Sequence, residues 1–83
     1  MGTMDEVQEL LVALLQDTSL SKNIRIVLEE IAEELRDTKD IALKINSALQ
    51  KVEDLSLDPN LSQYVRTQIW NLTTLLEGAQ NEA

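Results

Sequence analysis

Asp58-Pro59-Asn60-Leu61-Ser62-Gln63-Tyr64-Val65-Arg66 decides how this chain folds, because its pattern already stands 41 residues earlier as Asp17-Thr18-Ser19-Leu20-Ser21-Lys22-Asn23-Ile24-Arg25. Asp, Leu, Ser and Arg hold the same places in both segments, and Ile24 answers Val65. The correspondence continues with Leu28 against Ile69 and Ile31 against Leu72. Each unit reads as a helix, a turn opened by Asp, and a second helix with Arg in its second turn. Two such units predict an all-α fold: a four-helix antiparallel bundle made of two similar helical hairpins, related by a pseudo-two-fold. With only two units the bundle must close on itself, since each hairpin needs the other to cover its apolar face.

Working outward, apolar residues recur at helical spacing on both sides of each turn. The stripes are Val7, Leu10, Leu11, Leu14; then Ile24, Val27, Leu28, Ile31, Leu35; then Ile41, Ile45, Ala48, Leu49, Val52, Leu55; and finally Leu61, Val65, Ile69, Leu72, Leu76. They predict helices over 4–16, 21–36, 38–55 and 61–77 in a single domain spanning 1–83. Thr3 with Glu6 is a capping-box pattern for the first helix. Asp37 or Thr38 is the expected cap of the third, after a very short connection. Gly78 stands where a C-terminal capping glycine belongs, with 78–83 as a polar tail. One tyrosine, one tryptophan, no phenylalanine and no alternating β-branched run argue against a sheet.

The 83 residues contain no cysteine and no histidine, which removes thiolate nucleophiles, imidazole bases and soft zinc sites. The formal charge is −8, and the seven basic residues are scattered. Nucleic-acid backbones and anionic membrane surfaces are therefore disfavoured partners. No apolar run approaches a membrane span. Met1-Gly2 is a poor myristoylation start, because Glu6 occupies the sixth position. Absence of cysteine fits a cytoplasmic setting.

The repeated pair Asp17/Arg25 and Asp58/Arg66 is expected to lock the two turns. Asp accepts from free backbone N–H groups, and Arg returns to the turn carbonyls or to the carboxylate. The 41-residue period lies in the range of HEAT-type hairpins, and the Asp…Val-Arg pattern resembles theirs. Asp58-Pro59-Asn60, Arg66-Thr67-Gln68-Ile69-Trp70-Asn71, Asp17-Thr18-Ser19-Leu20 and Asn23-Ile24-Arg25 resemble a small archaeal family of uncharacterised helical proteins. The likeness runs from about Val7 to Glu77. Ser21 and Ser62 depart from it, standing where that family often has proline. The resemblance implies a four-helix bundle and nothing about function.

No catalytic, cofactor-binding or metal-ligating residues stand out. Glu29, Glu30, Glu33, Glu34 and Asp37 read as a solvated acidic face, since carboxylates from one helix coordinate a cation poorly. The residues that leave their stripes are more informative. Val12, Ile26, Leu43 and Trp70 point away from the main apolar faces, Trp70 by roughly 150° at about 100° per residue. Trp70 has Arg66, Thr67, Thr73 and Thr74 beside it on the helix, a composition suited to an interface. Val12, Ile26, Leu43, Arg66, Thr67 and Trp70 thus form the candidate interaction patch of a non-enzymatic protein. Its expected partner is a second copy or another protein. Burial of Trp70 inside the bundle is the competing reading. Further alternatives are a small-ligand pocket between the hairpins near Asn46, Tyr64 and Asn71, and a metal-dependent enzyme on the acidic face.

Overall fold

A computed structural model describes residues 2–82; Met1 and Ala83, and with them the ends of the expected domain, the Met1-Gly2 start and the last residue of the expected tail, lie outside it. Four helices make up the described residues, with no strand among them: α1 (Thr3–Leu15), α2 (Lys22–Glu34), α3 (Ile41–Ser56) and α4 (Gln63–Glu82). They pack in a ring. α1 touches α2 and α4, α3 touches α2 and α4, and the diagonal pairs α1/α3 and α2/α4 do not meet.

The core repeats as the turns do. Val7, Leu11, Leu14, Leu20, Ile24, Leu28, Ile31 and Leu35 are buried. So are their counterparts 41 residues on: Ala48, Val52, Leu55, Leu61, Val65, Ile69, Leu72 and Leu76. Among the described residues only two buried apolar ones fall outside this register. Ile45 answers the half-buried Met4, and Ala79 answers Thr38 in the α2–α3 connection. Interiors pack to nearly crystalline density. An inner face formed twice from side chains of similar size at one spacing lets either hairpin cover the other.

Three helix ends differ from the sequence expectation. The N-cap of α1 is Gly2, not Thr3; the Gly2 N–H donates to the Asp5 carboxylate at 3.2 Å. Thr3 is the first helical residue, and its hydroxyl donates instead to Glu82 at 2.8 Å, tying the start of α1 to the end of α4. α3 begins at Ile41 with Asp40 as its N-cap, three residues later than expected. Asp37 closes a local turn, its carboxylate accepting from the Lys39 N–H at 3.0 Å. Asp40 takes φ 53°, a left-handed conformation that Asp tolerates better than most residues. The α2–α3 connection is thus six residues, 35–40, rather than a near-continuous bend.

Gly78 does not end α4. The helix runs on to Glu82, and no glycine takes a positive φ among the described residues. The extension buries Ala79. Its last turn reaches α1 through the Thr3–Glu82 hydrogen bond, so residues 78–82 of the segment read as a polar tail are part of the fold.

Candidate functional site

Each Asp turn is built from the same contacts. In the first, the Asp17 carboxylate accepts from the Ser19 N–H at 2.9 Å and the Ser19 hydroxyl at 2.6 Å. These hydrogen bonds, the hydroxyl first, hold the Asp17 carboxyl below the ordinary aspartate value. In the second, Asp58 accepts from the Asn60 N–H at 2.8 Å. Ser21 and Ser62 then cap α2 and α4, accepting from the N–H of Ile24 at 3.3 Å and of Val65 at 3.1 Å. Serine favours the helix start by accepting from a free N–H, where a proline would act by fixing φ.

The arginines close the locks. Arg25 donates to the Leu15 and Asp17 carbonyls, both at 2.7 Å, and Arg66 to those of Ser56 and Asp58 at 3.1 and 3.3 Å. Leu15 and Ser56 are the last residues of α1 and α3. Carbonyls there lack intrahelical partners and carry the negative end of the helix dipole. One planar guanidinium joins such a helix-end carbonyl to the carbonyl of the turn Asp two residues on, with charge of the right sign. The carboxylate oxygens do not take part in this contact, which selects carbonyls over carboxylate from the two expected routes. Asp17 and Asp58 thus hold the turns by accepting backbone N–H groups, and Arg25 and Arg66 donate to the turn carbonyls.

The off-stripe residues are exposed, with Trp70 69%, Leu43 71%, Val12 52% and Ile26 43% accessible. Each sits on a different helix of the ring, and Trp70 shares α4 with Arg66 and Thr67. Trp70 borders a cleft of about 420 Å³ between α3 and α4, with Leu49, Glu53, Ser56, Thr73 and Glu77. Ile26 borders another between α2 and α3, on the opposite side of α3. Thr67 and Thr74 share the outer face of α4 with Trp70. Their hydroxyls donate back to the Gln63 and Trp70 carbonyls at 3.0 and 3.1 Å, leaving the methyl groups for the surface.

Charge separates the two halves. Residues 1–40 hold ten carboxylates against four cations, and residues 41–83 hold five against three. The exposed residues of α4 are almost all uncharged: Gln63, Tyr64, Thr67, Trp70, Asn71, Thr74, Gln80 and Asn81, with Glu77 and Glu82 the exceptions. Leu43 lies among Ala42, Asn46 and Gln50 on the exposed part of α3. This asymmetry is visible in the sequence once the repeat is used to divide it, and the stripes alone do not show it.

The other candidate sites dissolve into local contacts. Asn46 accepts from Gln80, and Asn71 donates to Gln68 at 3.1 Å. Asn71 and Tyr64 stand roughly 13 and 24 Å from Gln80 along α4, so the three do not share a pocket. Among the described residues no three carboxylates converge as metal ligands. Glu34 and Glu30 instead engage Lys51, at 2.8 and 3.6 Å. That hydrogen bond lowers the Glu34 carboxyl and raises the Lys51 ammonium.

Taken together, the described residues define a small four-helix bundle of two similar hairpins. The chain belongs to the uncharacterised protein family UPF0147, whose family model matches residues 1–79. A UPF0147 protein of Archaeoglobus fulgidus is 45% identical over 74 residues, covering 89% of this chain and 85% of that one. Relatives of the same name in Aeropyrum pernix and Thermococcus kodakarensis are 34% and 38% identical, covering 92% and 86% of this chain and 85% and 87% of theirs. The crystal structure of a protein of unknown function has the same fold, with a TM-score of 0.82 at 28% identity. The match covers 90% of this chain and 86% of that one. The resemblance read from the Asp-Pro-Asn turn and the fourth helix is thus to this family. No helix among the described residues is long and apolar enough to cross a membrane.

Proposed function

We propose that the chain is a non-enzymatic cytoplasmic interaction module that pairs with a second copy through the outer face of α4. One observation carries the reading: a protein of charge −8 keeps one helix face almost free of charge and places its only tryptophan there, 69% exposed. Two copies repel wherever their acidic faces meet, so the neutral face is where they approach at least electrostatic cost. Depletion of charge, with Trp and Tyr present, is the composition of an interface core. A two-fold axis sets the strip against itself, which satisfies the self-complementarity of an isologous contact. The threonine methyls flank the indole with small apolar surface and no unmade hydrogen bond. Nucleic acid and anionic membrane are not partners on this reading, because the cations are few and Arg25, Arg66, Lys44 and Lys51 are engaged within the fold.

Trp70 is the only tryptophan and reports on its own environment. Its fluorescence, with acrylamide quenching, is to be followed across a dilution series from about 500 to 0.5 µM, a span that brackets weak to moderate self-affinity. Pairing predicts shielded, blue-shifted emission at high concentration and exposed, red-shifted emission on dilution. Emission that stays exposed and concentration-independent throughout rejects the reading.

A further inference from the structure

We propose that the cleft between α2 and α3 is a second docking surface, for a cationic amphipathic helix presented by a different protein. It is separate from the α4 face and does not depend on it.

The cleft exists because the pseudo-symmetry fails here. α1 and α4 pack along much of their length, whereas α2 and α3, the corresponding seam, touch far less. α4 runs 20 residues and α2 only 13, and the six-residue connection 35–40 sets α3 away from the end of α2. The opening is about 360 Å³, with Val27, Leu55 and Leu57 as its apolar surface. Leu57 is 77% exposed, the most accessible large apolar residue among those described. Glu30 and Lys51 belong both to this opening and to the adjoining one at Ile26, so the two form one groove along the α2–α3 seam.

Charge complementarity identifies the occupant. Carboxylates line both sides of the groove: Glu29, Glu30, Glu33 and Glu34 from α2, and Asp54 from α3. Its single cation, Lys51, is held by Glu34 and Glu30. Glu29 and Asp54 have no ion-pair partner among the described residues. An apolar floor between acidic walls matches a helix with large aliphatic side chains on one stripe and Lys or Arg on its flanks, the helix-in-groove mode of recognition. A second copy of this chain does not supply that pattern. Of its four lysines, Lys44 and Lys51 are paired with Asp37, Glu30 and Glu34, Lys39 lies in the α2–α3 connection, and Lys22 opens α2, the helix that carries Glu29, Glu30, Glu33 and Glu34. A small apolar ligand leaves the carboxylates unused.

The test uses the full chain and, as probe, a fluorescein-labelled 18-residue helical peptide of Leu and Lys in amphipathic order. Anisotropy is measured against the wild type, Leu57→Ser, the pair Glu29→Gln/Asp54→Asn, and the pair Glu6→Gln/Glu9→Gln on α1. Nitrogen-15 amide shifts of the wild type are recorded with and without the peptide, and circular dichroism checks that each variant folds. Saturable binding is expected, weakened about tenfold or more by Leu57→Ser and by the α2/α3 charge pair, and less than twofold by the α1 pair. The amide shifts are expected at Ile26, Val27, Glu30, Asp54 and Leu57. Three results overturn the proposal: no saturable binding at 100 µM peptide, on the order of the weak end of specific association; equal weakening by both charge pairs, which marks unspecific attraction to an acidic protein; or shifts centred on Trp70. Trp70→Glu is expected to leave peptide binding unchanged, so failure of the groove and failure of self-pairing are read separately.

Discussion

Position by position, the two hairpins match inside and diverge outside. Leu28 and Ile69, Ile31 and Leu72, and Leu35 and Leu76 are buried at matching places, and the same Asp, Ser and Arg build both turns. On the surface, Glu29 stands where the second hairpin has Trp70, Val12 where it has Glu53, and Ile26 where it has Thr67. Burial explains the contrast. An interior shared by two copies of one motif tolerates little change of volume, whereas an exposed position away from special contacts changes stability by about 0.5 kcal/mol or less. The parts held in common therefore report on folding, and the parts that differ are where partner recognition has room to lie.

The first way to break this comparison is to empty the core on each side. Leu28→Ala and Ile69→Ala are each expected to cost about 2–5 kcal/mol by urea unfolding, through lost burial and the cavity left behind. A large cost on one side only would show that the two halves do not share the core equally. The turns come next. Arg25→Ala is expected to cost about 1.5–3 kcal/mol, since the Leu15 carbonyl at the helix end and the Asp17 carbonyl in the turn lose a charged donor. Arg66→Ala should cost less, because its hydrogen bonds are 3.1 and 3.3 Å against 2.7 Å for both in the first turn. The reverse order in paired denaturation curves would reject the carbonyl-lock account.

Smaller effects sharpen the same contrast. Gly78→Ala is expected to raise stability by about 0.5–1 kcal/mol, because the residue is helical and a methyl group there meets Thr3 at an ordinary 3.6 Å. A loss on thermal melting would restore Gly78 as a helix terminator. Lys51→Ala should cost under about 1 kcal/mol at neutral pH, since both partners of the Glu34–Lys51 pair are partly exposed. Glu34 is lowered from 4.5 by the Lys51 hydrogen bond, so its contribution is present above 4.5 and fades as the pH falls through the lower folded value. Lys51 is raised from 10.5, so its share is complete below 10.5 and fades as the pH rises through the higher folded value. The difference between wild type and Lys51→Ala should therefore shrink as the pH falls below 4.5, and a constant difference through the acid range would refute the ion pair.

The repeat made the interior legible. Once Asp17 is laid over Asp58, helix count, hairpin pairing, stripes and turn arginines follow, and the structure places them accordingly. The misread points share one cause, a tertiary contact overriding a local signal. Thr3 has the side chain of a cap but donates its hydroxyl to Glu82, across the whole length of the chain. Gly78 has the composition of a terminator, yet α1 provides a surface on which α4 continues and buries Ala79. Asp37 caps nothing because Asp40 takes the left-handed conformation three residues on. Helical angles could show that Val12, Ile26, Leu43 and Trp70 leave their stripes. They could not show how the four are placed relative to one another, because that depends on the order of helices around the ring. The α2–α3 groove was not legible for the same reason.

The most direct test of the central claim compares one charge inserted on each outer face. Solution mass by light scattering is to be measured for the wild type, Val12→Glu on the first hairpin and Trp70→Glu on the second, at matched concentration. Both sites are exposed, so folding should hold in each variant. The account predicts a dimer for the wild type and Val12→Glu and a monomer for Trp70→Glu. A monomeric wild type, or dissociation by Val12→Glu with Trp70→Glu still dimeric, would contradict it.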